Sequence, residues 1–98
     1  MTYEIEYTEE ATEDLIGFLR YEQNVILDGI GRQLRFEPTR ETRNRKRLRP
    51  NSTASWELRL GRLRVLYDVE TTVQIVKIRR VGEKRGSEFV FRGRRGEL

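Results

Sequence analysis

The stretch Trp56-Glu57-Leu58-Arg59-Leu60-Gly61-Arg62-Leu63-Arg64-Val65-Leu66-Tyr67 constrains the fold more than any other in the chain. Alternating residues flank Gly61-Arg62, which predicts two antiparallel strands joined by a two-residue turn. Glycine at the first turn position suits type II′, whose twist matches that of the strands. This register sets Leu60 against Leu63, Leu58 against Val65 and Trp56 against Tyr67, so one face is apolar. The other face carries Arg59 directly opposite Arg64. Like charges placed opposite each other on a sheet are destabilising, and a broken local rule often marks function. The pair is therefore read as an anion site, against the plainer reading that both guanidiniums splay into water.

Ninety-eight residues are expected to form one domain, residues 1–98, with a modest single core. The chain has no cysteine and no histidine. That excludes disulfides, thiolate chemistry, Cys/His zinc sites, a Ser-His-Asp triad and an imidazole base. No metal and no cofactor is expected. There is no long apolar run and no signal-peptide pattern, so a soluble, cytoplasmic protein without membrane contact is expected. The net charge of +4 is unevenly placed: residues 1–34 carry eight acids and two bases, and residues 35–98 carry eight acids and eighteen bases. The basic part is mostly arginine, which forks onto phosphate better than lysine does. A polyanion partner follows, with an acidic protein tail as the competing partner.

Tyr3 to Tyr7 alternates and predicts a strand with Tyr3, Ile5 and Tyr7 on one face. Thr8 is a candidate N-cap, followed by Glu9 and Glu10 at the positive end of a helix. Ala11, Leu15, Phe18 and Leu19 form the apolar stripe of that helix. Glu9, Glu10, Glu13 and Asp14 read as a solvated acidic helix start rather than a metal or acid/base cluster. A second helix is predicted from about Asn24 to Phe36, on Val25, Ile26, Ile30 and Leu34, ending at Pro38. Gly29 and Gly31 weaken its propensity by about 1 kcal/mol each relative to alanine and are expected to let the two helices pack closely as an antiparallel hairpin.

Residues 35–50 hold seven bases and two acids. No periodicity follows Pro38, so a basic loop is expected, with phosphate-contacting residues among Arg43, Arg45, Lys46, Arg47 and Arg49. Asn51 to Ser55 is polar turn material. A further strand is predicted from Val73 to Val81. A two-residue Thr71-Thr72 turn sets Tyr67 against Val76, Val65 against Ile78 and Arg64 against Arg79. A three-residue turn would put Arg80 on that face instead. Burial of Val76 and Ile78 favours the first. Residues 81–86 read as a loop, Phe89 to Phe91 as a short last strand, and Arg92 to Leu98 as a frayed basic tail.

The order of elements, with Trp56-Glu57-Leu58-Arg59, Arg64-Val65-Leu66-Tyr67 and Val81-Gly82-Glu83-Lys84, resembles the RelE/ParE superfamily of bacterial toxin–antitoxin toxins over nearly the whole chain. The resemblance implies an α+β fold: an N-terminal strand, and a helical hairpin packed on one face of an antiparallel sheet whose open face carries the site. RelE-type members cleave mRNA on the ribosome without metal, the 2′-hydroxyl attacking the adjacent phosphate. Carried over, Arg59 and Lys84 match basic positions of the site, and Arg64 matches the arginine that holds the scissile phosphate. Arg47 and Arg49 fall where the family loop contacts RNA. From the strand register, Arg79 or Arg80 joins Arg59 and Arg64, and Arg85 is a further candidate nucleic-acid contact.

The chain departs from the pattern at Glu57, where RelE has a second lysine, and at Val90, where it has tyrosine. Glu57 shares a face with Arg59 and is either a base or, more in keeping with its neighbours, a salt-bridge partner for the arginines. The resemblance implies a cognate antitoxin, with mRNA and the ribosome as targets. ParE-type members inhibit DNA gyrase instead, so a non-enzymatic gyrase inhibitor, or a catalytically weak antitoxin-binding relative, is the alternative.

Overall fold

The computed structural model describes residues 2–92 and 94–96. Strand β1 (Glu4–Tyr7) runs directly into helix α1 (Glu9–Ile16). Thr8 makes that junction: its Oγ1 accepts from the Ala11 N–H at 3.1 Å and donates to the Arg79 carbonyl at 2.9 Å. The helix start is thereby capped and tied to the sheet. Helix α2 (Arg20–Gln33) begins at Arg20 rather than near Asn24. Its start is set by Glu22, whose carboxylate accepts from the Leu19 N–H at 3.1 Å, the reciprocal half of a capping box.

Six more strands follow: β2 (Arg45–Arg47), β3 (Trp56–Leu60), β4 (Leu63–Glu70), β5 (Ile75–Arg85), β6 (Glu88–Phe91) and β7 (Arg94–Gly96). They lie in the order β2-β3-β4-β5-β6-β7, each antiparallel to its neighbour, and β1 pairs in parallel with Ile75 to Ile78 of β5. The fold is the expected α+β arrangement. Ala11, Ile26, Ile30 and Leu34 of the helical half share a core with Trp56, Leu58, Val65, Tyr67, Val76, Ile78 and Val81 of the sheet. Fully burying one such aliphatic side chain contributes about 1.5–3 kcal/mol. The opposite face carries a smaller cluster of Ala54, Leu66 and Phe91, flanked by Leu48 and Phe89.

The predicted hairpin register holds in full: Leu60 faces Leu63, Leu58 faces Val65, Trp56 faces Tyr67 and Arg59 faces Arg64. Gly61 has φ +63°, the left-handed value a type II′ turn demands at that position. Trp56 and Tyr67 stack with ring centroids 6.2 Å apart, both buried on the helix side.

Other expectations are corrected. The basic stretch is not all loop, because β2 adds an edge strand to β3. The β4–β5 connection is not a two-residue turn: Glu70 pairs with Ile75, so Thr71 to Gln74 form a wider turn. Tyr67 meets Ile78, and a β-bulge opposite the Leu66–Tyr67 step inserts Arg79, so Leu66 meets Arg80 and Val65 meets Val81. Residues 81–85 are not a loop but the continuation of β5, and the tail includes β7. The rest of that expected tail, residues 93, 97 and 98, lies outside the described residues. Gly29 serves the sheet rather than the other helix, since a Cβ there would stand 2.6 Å from Leu60, while Gly31 faces open space. Leu19 and Val25, placed on apolar stripes, are 64% and 46% exposed. Asp14 is not solvated: it is 1% exposed. No described helix is long and apolar enough to cross a membrane.

Candidate nucleic-acid interface

The bulge decides which arginine shares a face with Arg59 and Arg64. Beyond it, side chains of β5 swap faces, so Arg80, Gly82 and Lys84 fall on the open side of the sheet. Arg64 therefore faces Gly82, not Arg79. A Cβ on Gly82 would lie 2.7 Å from the Phe91 ring, so the missing side chain is what lets Phe91 lie over the open face. Arg79, the inserted residue, pairs with Asp68 at 3.1 Å.

Arg80 is on the predicted face but is already engaged. Its Nε and Nη2 donate to Asp14 at 2.7 and 3.1 Å, and its guanidinium lies 4.3 Å from the Phe91 ring centroid. Asp14 also accepts from the Val81 N–H at 3.1 Å and forms an ion pair with Arg92, whose Nε lies 2.8 Å from Oδ1. These contacts fill the part of the β5 edge left between β1 and β6. Sequence reading missed Asp14, although Ala11, Leu15 and Phe18 at helical spacing already place position 14 on the buried face.

Between β2, β3 and the β5–β6 hairpin lies a groove of about 640 Å³, lined by Lys46, Arg47, Arg49, Arg59 and Lys84 together with Leu48, Phe89 and Glu57. Lys46 stands opposite Glu57 on the neighbouring strand. Lys84 lies 5.3 Å from the Phe89 ring centroid, whereas Arg47 pairs with Trp56 and lies 5.7 Å from its ring centroid, toward the helix side. Glu57 shares the open face with Lys46 and Lys84, its side chain 2% exposed, with Oε1 2.6 Å from Arg59 Nε and 3.8 Å from Arg64 Nε. It is a salt-bridge partner of the arginines, the second of the two roles its position suggested.

Arg64 flanks this group rather than lining the groove. Its Nη1 donates to the carbonyls of Gly61 and Leu63, and its buried Nε has no hydrogen-bond partner. Burial pushes its pKa below the usual arginine value, and the facing Arg59 adds to this, while Glu57 opposes it. Of the remaining predicted contacts, Arg45 is turned away, its Nη1 donating to the Gln33 carbonyl at 2.6 Å and to that of Phe36 at 3.2 Å. It closes the C-terminal end of α2, where a cation is favoured. Arg43 is exposed just before β2, and Arg85 is exposed and pairs with Glu83 at 3.1 Å. Among the described residues no group of three acidic, histidine or cysteine side chains is placed to hold a metal.

The site is thus a cationic groove with aromatic and aliphatic side chains in its lining. Backbone phosphates suit the cations, and exposed ring surface suits unpaired bases. Val90, at the position of the family tyrosine, is 6% exposed and lies on the opposite side of β6 from Phe89.

No family model and no curated protein matches this sequence. Solved structures do. The RelE chain of the toxin–antitoxin complex RelBE2 from Mycobacterium tuberculosis superposes with a TM-score of 0.75 and 25% identity, over 86% of this chain and 93% of that one. The RelE chain of the archaeal RelE–RelB complex from Pyrococcus horikoshii gives 0.68 and 25%, over 88% of this chain and 98% of that one. With the same fold across nearly the full length of both toxins, the chain belongs to the RelE superfamily of toxins.

Proposed function

We propose that this protein is the toxin of a toxin–antitoxin pair, and that its open-face groove takes mRNA on the ribosome in the cytoplasm. The observation that carries the reading is the groove lining, in which Lys46, Arg49, Arg59 and Lys84 accompany a single carboxylate, with Arg47 at its edge. The solved relatives are complexes of a toxin with its antitoxin, which supports a cognate antitoxin here too.

In the cleavage reaction a 2′-hydroxyl gives its proton to water and attacks the adjacent phosphorus, the phosphorane gains negative charge, and the P–O5′ bond breaks, leaving a 2′,3′-cyclic phosphate and a 5′-oxygen that takes up a proton. Arg59 and Arg64 supply fixed positive charge where that charge develops, and removing one such stabiliser typically costs about 10²–10³ in rate. Lys84 is the candidate donor to the leaving oxygen. The described lining holds no phenol to take the 2′-hydroxyl proton, which makes arrest without cleavage the second reading. The test is induced expression with mapping of mRNA 5′ ends and measurement of protein synthesis. Codon-phased cuts establish cleavage, and arrest without cuts establishes blocking. A DNA-damage response with neither outcome overturns both and points to gyrase.

A further inference from the structure

Glu57 is a buried acid at the centre of an otherwise cationic groove. Its side chain is 2% exposed, and one oxygen lies 2.6 Å from Arg59 Nε and 3.8 Å from Arg64 Nε. Burying a charge is costly even when it is paired, so a carboxylate kept under Lys46 and Lys84 has a consequence for whatever binds above it. We propose that Glu57 is an internal counter-charge that fits the Arg59–Arg64 pair to an internal phosphodiester and against terminal phosphates and free nucleotides. This rests on the reading of the groove as an RNA site and names the phosphate class that site accepts.

The argument is one of charge. Two guanidiniums and one carboxylate leave a single net positive charge, enough to balance one phosphodiester. A phosphomonoester has a second pKa near 6 and is close to a dianion at neutral pH. Lys46 and Lys84 of the groove attract its second charge, but that charge finds no further cation in the pair and stands over a fixed anion. Coulomb energy against a fixed charge scales with the charge of the ligand. Glu57 therefore penalises a dianion twice as much in free energy as a monoanion, and the factor in affinity is squared. A carboxylate that served only to hold Arg59 in place would act on both ligands alike.

The experiment is a titration, followed by amide chemical shifts at low ionic strength, with a dinucleoside monophosphate and with the corresponding 5′-mononucleotide. The parental ratio of the two affinities is the reference. Glu57→Gln keeps the shape and removes the charge. It should strengthen diester binding by about tenfold and mononucleotide binding by about a hundredfold, so that the ratio moves about tenfold toward the mononucleotide. Glu57→Asp keeps the charge and should keep the parental ratio. Glu57→Met, also neutral and tolerant of burial, takes the place of the glutamine variant if that one does not fold.

An unchanged ratio in the neutral variant, or equal loss of both ligands, overturns the proposal while leaving the RNA site standing. Failure of both folded proteins to bind either probe or a longer oligoribonucleotide overturns the RNA reading and this inference with it.

Discussion

Asp14 and Arg80 form a two-bond fork between the first helix and the central strand, with Nε and Nη2 of the guanidinium 2.7 and 3.1 Å from the carboxylate oxygens. Arg92 and the Val81 N–H use the same carboxylate. Removing it leaves Arg80 only the longer 3.4 Å pair with Glu10 and leaves the buried Val81 N–H unmatched. Asp14→Ala should therefore cost about 3–5 kcal/mol of stability. Urea denaturation measures this. A loss below about 1 kcal/mol would show that water replaces the carboxylate and that the fork is not a keystone of the fold.

The stacked Trp56–Tyr67 pair fills the core beneath the hairpin, and the Tyr67 hydroxyl donates to the Pro38 carbonyl at 2.8 Å. Trp56→Ala should destabilise by roughly 3–5 kcal/mol, enough to unfold a domain of this size. Tyr67→Phe keeps the ring but strands a buried carbonyl, and should cost about 1–3 kcal/mol. Thermal melts of the two variants separate the packing contribution from the hydrogen bond.

Glu22 lies below the ordinary carboxylate range, held there first by the hydrogen bond from Arg62 and then by the Leu19 N–H. A carboxyl group whose pKa is lowered by folding stabilises the protein fully above its ordinary value of 4.5, and that stability is lost as pH falls through the lower folded value. Stability should decline with falling pH over that window, and Glu22→Gln should flatten the decline. Melting temperatures between pH 6 and pH 3 for both proteins provide the comparison.

Arg64 and Arg62 are near neighbours with opposite duties. Arg62 pairs with Glu22 and with Glu83, bridging α2 to β5 on the helix side. It is outside the groove but is not a silent surface residue. Arg62→Ala should lower stability and keep RNA binding. Arg64→Met should abolish toxicity and keep the fold, since the buried Glu57 retains its closer partner Arg59 at 2.6 Å. Growth inhibition and melting, measured on both variants, make the contrast. Equal loss of toxicity in both would remove Arg64 from the site.

RNA binding in the groove should weaken with salt, with a log–log slope of about −0.7 per phosphate contacted on a single strand. Lys46→Ala should reduce that slope by about one such step across unrelated sequences. An unchanged slope would show that Lys46 does not touch phosphate.

What the sequence made legible was local and periodic. The hairpin from Trp56 to Tyr67 carries its register in its own turn, so alternation alone pairs Arg59 with Arg64. The β4–β5 pairing was harder to read: the alternation breaks at Ile78-Arg79-Arg80-Val81, which marks an extra residue but not which arginine is inserted. That residue is Arg79, so Arg80 takes the open face, where Asp14 holds it. Strand β2 was hidden for a related reason: three residues, all basic, pair at a sheet edge through their backbones, which side-chain periodicity does not report. The burial of Asp14 was legible from helical spacing but was masked by the acids around it.

Strand β5 receives β1 on one half of an edge and β6 on the other. The contacts that fix the first strand span 71 residues, as between Thr8 and Arg79. During synthesis β1 and both helices leave the ribosome long before the strand that seats them exists. Such distant pairing makes assembly slow compared with a chain of local contacts. Lys84, Phe89 and Phe91 belong to the same late segment. A growing chain that has reached only β4 presents Arg59 and Arg64 on a bare hairpin, without the far wall of the groove. The far wall of the groove thus forms only after β5 and β6 have emerged and paired.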